Sequence, residues 1–208
     1  MKIHGNPGST CTRKVLATLA EKGHVLPMQV VDLATGEHKS PAHMRLQPFG
    51  QVPALEDDNG WVLYESRAII RYLDDTLSGP KLTPTDARDR ARMDQWMSVE
   101  TSNFTPGAMK IIYQAVFARW RGQTPNEDLI AEGRVQLGRA LDVMNRALAD
   151  SAWIACDQFT LADICFLPYL EYLELGGEGE LVASRENVGR WWIAARARPA
   201  WQKAIGKA

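Results

Sequence analysis

Every strand signal in this 208-residue chain falls before residue 78, and everything after it reads as helix. That one-sided distribution constrains the fold more than any other feature. Met1-Lys2-Ile3-His4 suits a short strand, and Asn6-Pro7-Gly8 turns the chain. Val15, Leu16, Leu19 and Ala20 then recur at i, i+1, i+4 and i+5, one stripe of a helix that stops at Lys22-Gly23. Pro27 to Asp32 is a β-branched run, Gly36-Glu37-His38-Lys39 a polar loop, and Ser40-Pro41 the start of a short helix to Leu46. Ala54-Leu55-Glu56 and Trp61-Val62-Leu63 flank Asn59-Gly60, a hairpin signal. Ala68, Ile69, Ile70, Tyr72 and Leu73 form the buried face of a further helix. The order β-α-β-α-β-β-α, with right-handed crossovers, predicts a small mixed α/β sheet covered by helices.

Ser78-Gly79-Pro80-Lys81 reads as a linker, so the expected organisation is an α/β domain over 1–78, a linker over 79–85 and an all-α helical domain over 86–208. Thr83-Pro84 caps a helix carrying Met93, Trp96, Met97 and Phe104, Pro106-Gly107 interrupts it, and Met109, Ile112, Tyr113, Val116 and Phe117 continue it. Thr124-Pro125-Asn126-Glu127 reads as a capping box for a helix burying Ile130, Leu137, Leu141, Met144 and Leu148. In Phe159-Thr160-Leu161-Ala162-Asp163-Ile164, Thr160 is the N-cap, Asp163 its N3 partner, and Phe159 and Ile164 the staple. Asp163 is therefore a structural carboxylate. Trp191, Trp192, Ile193 and Trp201 read as packed terminal helices.

The bulk numbers exclude some classes. The net charge of −1 argues against a nucleic-acid partner, and the apolar runs are too short to span a membrane. The N-terminus has no secretory-signal pattern. Three cysteines, Cys11, Cys156 and Cys165, are odd in number and lack metal-ligand spacing, which points to a reducing cytoplasmic setting and no metal site.

The chemistry concentrates in Ser9-Thr10-Cys11-Thr12, a hydroxyl-thiol-hydroxyl cluster at a strand-to-helix turn. Unpaired N–H groups and the helix dipole favour negative charge there, a thiolate included. We read the turn as the holder of a bound thiol's sulfur, with Ser9 hydrogen-bonding it. Taken alone, Ser9 or Thr10 is better explained as only the N-cap of the helix.

Four motifs in order, Pro7-Gly8-Ser9-Thr10-Cys11-Thr12-Arg13, Gly36-Glu37-His38-Lys39, Pro48-Phe49-Gly50-Gln51-Val52-Pro53 and Glu65-Ser66-Arg67-Ala68-Ile69, make the chain resemble a cytosolic glutathione S-transferase, closest to the phi class and its bacterial relatives. The resemblance covers nearly the whole chain. It implies a thioredoxin-like N-terminal domain, glutathione as co-substrate, and a homodimer. Ser9 matches the catalytic serine that donates to the glutathione sulfur. A thiol has a pKa near 8.5, and lowering it by two units requires about 2.7 kcal/mol of thiolate preference. A hydrogen bond to a charged acceptor contributes about 1.5–3 kcal/mol and the helix terminus about 0.3–1 kcal/mol more, so the sum suffices without a base or metal.

By the same resemblance, Val52-Pro53 is a cis-proline turn whose Val52 backbone pairs with the cysteinyl part of glutathione. Glu65 and Ser66 take the γ-glutamyl end at a helix start, and His38 and Lys39, with Gln51 nearby, reach the glycyl carboxylate. Met109, Ile112, Tyr113 and Phe117 line the pocket for an apolar electrophile, with Asn6 at its mouth, although ordinary core accounts for such residues as well. Phe49 matches the key residue that inserts into a partner subunit.

Cys11 is the departure. A low-pKa cysteine at a helix N-terminus forms mixed disulfides rather than activating a thiol. Two residues beyond Ser9, Cys11 is expected to point toward the core. The expected function is transfer of glutathione to electrophilic carbon, with glutathione-dependent peroxide reduction beside it. A Cys11-based glutathione-dependent oxidoreductase and a non-catalytic ligand-binding protein are the alternatives.

Overall fold

Strand β1 (Lys2–Gly5) lies inside a four-stranded sheet, in a computed structural model that describes residues 1–207. It pairs in parallel with β2 (Met28–Val30) and antiparallel with β3 (Ala54–Glu56), which pairs antiparallel with β4 (Val62–Tyr64). The sheet order is β2-β1-β3-β4, and Ile3 sits opposite both Met28 and Leu55. Helix α1 (Thr10–Glu21) packs against α3 (Ser66–Thr76), and Val15, Leu19, Ile69, Ile70 and Leu73 are buried. With the short α2 (Pro41–Met44) the predicted element order is observed.

Local details differ from the sequence reading. The polar loop is a 3-10 turn over Glu37–Lys39. The hairpin turn is closed by Asp57, whose Oδ1 accepts the N–H groups of Asn59 and Trp61 at 2.8 Å each, while Gly60 supplies a φ of +82°.

The chain divides into two compact units, Thr83–Ala197 being one, and Met1–Leu82 together with the segment from Arg198 onward the other. Helix α10 (Pro199–Ala204) packs on α1, and Arg198 holds Glu21 through Nε at 2.6 Å and Nη2 at 2.7 Å. The sequence has no signal that separates this helix from those before it, so the expected single helical domain over 86–208 is corrected here. At the same C-terminal end of α1, Lys22 Nζ lies 3.0 Å from Asp74 Oδ1, with both side chains fully enclosed. Lys22 Nζ also donates to the Pro80 carbonyl at 3.1 Å, and the Leu82 N–H donates to Asp74 Oδ1 at 3.0 Å. The segment after α3 is thereby fixed to α1.

In the second unit, α4 (Ala87–Val99) is capped by Asp86, not by Thr83-Pro84: the Asp86 Oδ1 accepts from the N–H groups of Arg88 and Asp89 at 2.8 and 3.1 Å. A wide π turn (Glu100–Phe104) leads into α5 (Thr105–Ile112), and a second one follows (Tyr113–Ala118). Pro106 therefore does not interrupt the helix; its missing N–H falls beside the π turn. Asn126, rather than Thr124, caps α6 (Glu127–Ala147), accepting from the Leu129 N–H at 3.1 Å. A Cβ on Gly107 would lie 2.6 Å from the Leu137 nitrogen, and one on Gly133 2.9 Å from the Gly107 oxygen, so α5 and α6 touch backbone to backbone.

The predicted capping box opens α7 (Leu161–Leu175), which is buried along most of its length. Asp163 accepts from the Thr160 N–H (2.9 Å), the Thr160 hydroxyl (3.0 Å), the Ile154 N–H (3.0 Å) and Trp191 Nε1 (2.8 Å). Burial pushes its carboxyl up and these donors oppose the shift. After α8 (Gly179–Ala183), helix α9 (Glu186–Arg196) buries Trp191 and Trp192 but leaves Ile193 62% exposed, against the expectation of a packed residue. Among the described residues no helix is long and apolar enough to cross a membrane, and no group of three or more His, Cys, Asp or Glu could hold a metal ion.

Candidate functional site

The turn between β1 and α1 is held by its own polar groups. Asn6 Oδ1 accepts from the Gly8 N–H at 2.9 Å, Asn6 Nδ2 donates to the Val31 carbonyl at 3.0 Å, and the Asn6 carbonyl accepts from the Ser9 N–H at 2.9 Å. Both ends of the Asn6 amide therefore brace the turn, a different task from the pocket-mouth role expected for it. Half-buried Ser9 caps α1 with extended backbone (φ −77°, ψ 130°), and its Oγ accepts from the Thr12 N–H at 3.3 Å. Accepting uses a lone pair and leaves the hydroxyl proton free to donate. Thr12 is the residue that turns into the core, fully buried, while Cys11 stays half-buried as a free thiol. The expectation that Cys11 points toward the core is thus corrected: at this register the inward direction of the first helical turn falls on Thr12.

The 3-10 turn and the proline turn meet. Lys39 Nζ donates to the Phe49 carbonyl at 3.0 Å, and a Cβ on Gly50 (φ +59°) would lie 2.9 Å from the His38 oxygen, a position only glycine fills. His43 Nε2 donates to the Gln51 carbonyl at 2.7 Å, and the Gln51 N–H donates to Gln47 Oε1 at 3.0 Å. These contacts bring His38, Lys39 and Gln51 into one neighbourhood. The Val52–Pro53 bond is cis, as the resemblance implied. Burial of the His38 ring, with Lys39 and His43 adding, holds its pKa below the usual histidine value.

Glu65 is the one non-glycine residue with positive φ among the described residues (φ 71°, ψ 109°), and it immediately precedes α3. A conformation of this kind costs about 1–3 kcal/mol and concentrates at functional sites. The first turn of α3 carries no acidic residue and no side-chain cap. Its first residue, Ser66, has a buried hydroxyl without a partner, and His38 Nδ1 is buried without a partner as well. Folded proteins leave few such atoms. Among the described residues, two of the three side-chain atoms in this condition, the third being Trp201 Nε1, belong to residues for which the family resemblance implies ligand binding.

In the second unit Ile112 is fully buried, Met109 and Phe117 are half-buried, and Tyr113 is 45% exposed. Ile112 therefore offers no open surface. The rings of Tyr113 and Phe117 meet edge to face at 6.2 Å, and Phe117 contacts Trp120 at 5.6 Å and Tyr172 at 5.2 Å. Trp120, 63% exposed, and Arg121, whose Nη1 donates to the Tyr113 hydroxyl at 2.7 Å, are missed by the sequence reading. Their spacing from Tyr113 and Phe117 continues the same helical stripe and was the available signal.

A cleft of about 440 Å³ in the second unit is lined by Val99, Asn103, Pro106, Arg139, Ala140 and Val143, among others. Phe49 is 65% exposed, its ring 6.3 Å from that of Tyr64. A separate cavity of about 650 Å³ contains Cys156, whose thiol pKa is pushed up by burial.

Two family models match the chain: the glutathione S-transferase N-terminal domain over residues 8–76 and the glutathione S-transferase C-terminal domain over 127–202. Glutathione S-transferase F9 of Arabidopsis thaliana is 36% identical over 211 residues, an alignment covering 100% of this chain and 97% of that protein. The crystal structure of glutathione transferase F7 from Populus trichocarpa is similar with a TM-score of 0.94 and 35% identity, covering 99% of this chain and 98% of that one. A structure of glutathione S-transferase I bound with lactoylglutathione is similar with a TM-score of 0.91 and 29% identity, covering 100% and 99% of the two chains.

Proposed function

The chain belongs to the glutathione S-transferase family, with plant phi-class members among its relatives, and we propose that it activates the glutathione thiol at Ser9 and directs the thiolate onto apolar electrophiles. It is a glutathione transferase. The observation that carries the site assignment is the pair of buried, unpartnered atoms, Ser66 Oγ and His38 Nδ1, at residues suited to the two ends of the tripeptide. A carrier of apolar ligands would have no use for them.

The residues divide the work by chemistry. The Ser9 hydroxyl, already accepting from the Thr12 N–H, donates a hydrogen bond to the thiolate sulfur and keeps its proton. The N–H groups at the start of α3 and the Ser66 hydroxyl take the γ-glutamyl carboxylate, and Glu65 its ammonium. Val52 offers its backbone to the cysteinyl amide, beside Pro53. Lys39, Gln51 and His38 receive the glycyl carboxylate. Met109, Tyr113 and Phe117 give apolar surface to the electrophile, with Ile112 supporting them from beneath. The thiolate forms a C–S bond as the leaving group departs, or attacks a peroxide oxygen, breaking the O–O bond to leave a glutathione sulfenic acid and an alkoxide that takes a proton from solvent; neither step calls for a metal.

We also propose a two-fold homodimer in which exposed Phe49 enters the cleft beside Val99, Pro106 and Val143 of a second copy. The free thiols of Cys11, Cys156 and Cys165 support a reducing, cytoplasmic setting.

The test is the pH dependence of conjugation to a chloronitrobenzene for wild type, Ser9→Ala and Cys11→Ala. The serine mechanism requires Ser9→Ala to lose most of its rate, with the apparent thiol pKa rising toward that of free glutathione. Loss confined to Cys11→Ala would move the chemistry to the cysteine.

A further inference from the structure

Asn6 follows β1 directly, and its contacts reach Ser9 from three directions. Its carbonyl accepts from the Ser9 N–H at 2.9 Å, and its Oδ1 accepts at 2.9 Å from the N–H of Gly8, the residue before Ser9. Its own N–H donates to Thr12 Oγ1 at 3.3 Å, and the Thr12 N–H donates in turn to Ser9 Oγ at 3.3 Å. Thr12 is fully buried, and a Cβ on Gly5 would lie 2.8 Å from its Cγ2, so Thr12 has little room to shift. The far end of the Asn6 amide is tied to another part of the sheet. Asn6 Nδ2 donates to the Val31 carbonyl at 3.0 Å, and buried Val31 donates its own N–H to the Gly5 carbonyl at 2.8 Å. Arg13 Nε braces the outer side of the turn through the Pro7 carbonyl at 2.9 Å. A carboxamide suits the inner side because it donates from one end and accepts at the other, and these two partners fix which end is which.

We infer that Asn6 is the positioning residue of the sulfur site: by tying the Ser9 turn to Val31, its side-chain amide sets where the Ser9 hydroxyl stands and so how far the pKa of bound glutathione falls. This deepens the transferase reading and rests on it. A hydrogen bond to an ionised acceptor weakens steeply once its length or angle departs from the ordinary range. A Ser9 hydroxyl on a turn released from the sheet therefore stabilises the thiolate less, although the hydroxyl itself is still present. Asn6 acts through Ser9, by way of Gly8 and Thr12, and has no contact of its own with the sulfur in this account. The groups assigned to the two carboxylates of glutathione, Ser66 and Lys39 among them, do not depend on Asn6. Its loss should accordingly fall on thiol ionisation rather than on binding of the protonated tripeptide.

The experiment titrates the ultraviolet thiolate absorbance of bound glutathione on the full chain, with calorimetric affinity measured at about pH 5, where the thiol keeps its proton in every variant. Asn6→Ala is expected to raise the bound thiol's pKa by about one unit, a roughly tenfold loss of thiolate preference, with affinity at that pH changed less than about 3-fold. Asn6→Ser keeps an acceptor for the Gly8 N–H but is too short to reach Val31, so its pKa should rise in the same direction and by less. Either substitution placed in a Ser9→Ala background should add less than about 0.3 units, because the group it positions is gone. If Asn6→Ala does not fold, Asn6→Ser carries the same comparison. An unchanged pKa, an equal rise with and without Ser9, or a tenfold fall in affinity at pH 5 overturns the inference. A wild type that binds no glutathione, or a Ser9→Ala chain with an unchanged thiol pKa, overturns the transferase reading and this inference with it. Both of those outcomes are read from chains in which Asn6 is intact.

Discussion

Ser9 Oγ accepts the Thr12 N–H at 3.3 Å, so the residue proposed to hold the sulfur is also the N-cap of its helix. The two roles use different parts of one hydroxyl and separate by substitution. Ser9→Ala should lower stability by about 1 kcal/mol through the lost cap and also cost most of the conjugation rate. Ser9→Asp keeps a cap acceptor but has no proton to give and adds a charge that repels a thiolate. It should melt within a few degrees of wild type and still be inactive. Thermal melts beside initial rates check this, and an active Ser9→Asp enzyme would return Ser9 to a capping role alone.

Ser66 carries a prediction with opposite signs. Its buried hydroxyl has no partner, so Ser66→Ala removes an unsatisfied group and should leave the free protein as stable or slightly more so. Glutathione affinity should fall about 10-fold, the value of one hydrogen bond to a carboxylate. Calorimetric titration and a melt of the same sample decide. A destabilised variant with unchanged affinity would make Ser66 purely structural.

Lys22 and Asp74 form a fully enclosed ion pair, whereas Lys81, 3.8 Å from Asp74 Oδ2, is half-exposed. Lys22→Met removes the enclosed counter-charge of Asp74 and should destabilise by about 3 kcal/mol. Lys81→Met should cost less than about 1 kcal/mol. Similar losses for the two variants in urea unfolding would show that the buried pair has no special weight.

The depressed pKa of His38 has a definite sign. Burial is the first cause, followed by Lys39 and His43. Below the unfolded value near 6.5 the unfolded chain binds more protons than the folded one, so stability falls as pH drops from about 6.5 toward the folded pKa. His38→Gln should flatten that part of the profile. If the glycyl carboxylate binds beside His38, adding glutathione should raise the ring's pKa in a proton NMR titration. An unchanged pKa with saturating ligand would remove His38 from the site.

Much of this was legible in the residues themselves. The β-α-β-α-β-β-α order follows from periodicity and turn residues, and the Thr160–Asp163 cap from four consecutive letters. Other features were hidden for identifiable reasons. Thr-Pro pairs at 83–84 and 124–125 imitate helix starts and masked Asp86 and Asn126, the caps that accept the N–H groups. Pro106 looks like a breaker until a π turn absorbs its missing donor. The positive φ of Glu65 and the unpartnered state of Ser66 and His38 depend on tertiary surroundings, which no local pattern encodes. Arg121 and Tyr113 are eight residues apart, and no short motif signals a guanidinium placed on a phenol.

The packing of α10 on α1 has a consequence for synthesis. The second unit, Thr83–Ala197, is one unbroken stretch, whereas the first is finished only by the segment that begins at Arg198. On the ribosome the order of completion therefore reverses the order of translation: the helical unit is whole while the sheet unit still waits for its last helix. A stop codon just before Arg198 would leave the helical unit entire and strip the start of the chain of a wall shared by Leu16, Leu19, Lys203 and Ala204. Loss of the segment that begins at Arg198 would thus be felt at the helix that carries the turn proposed to bind the sulfur.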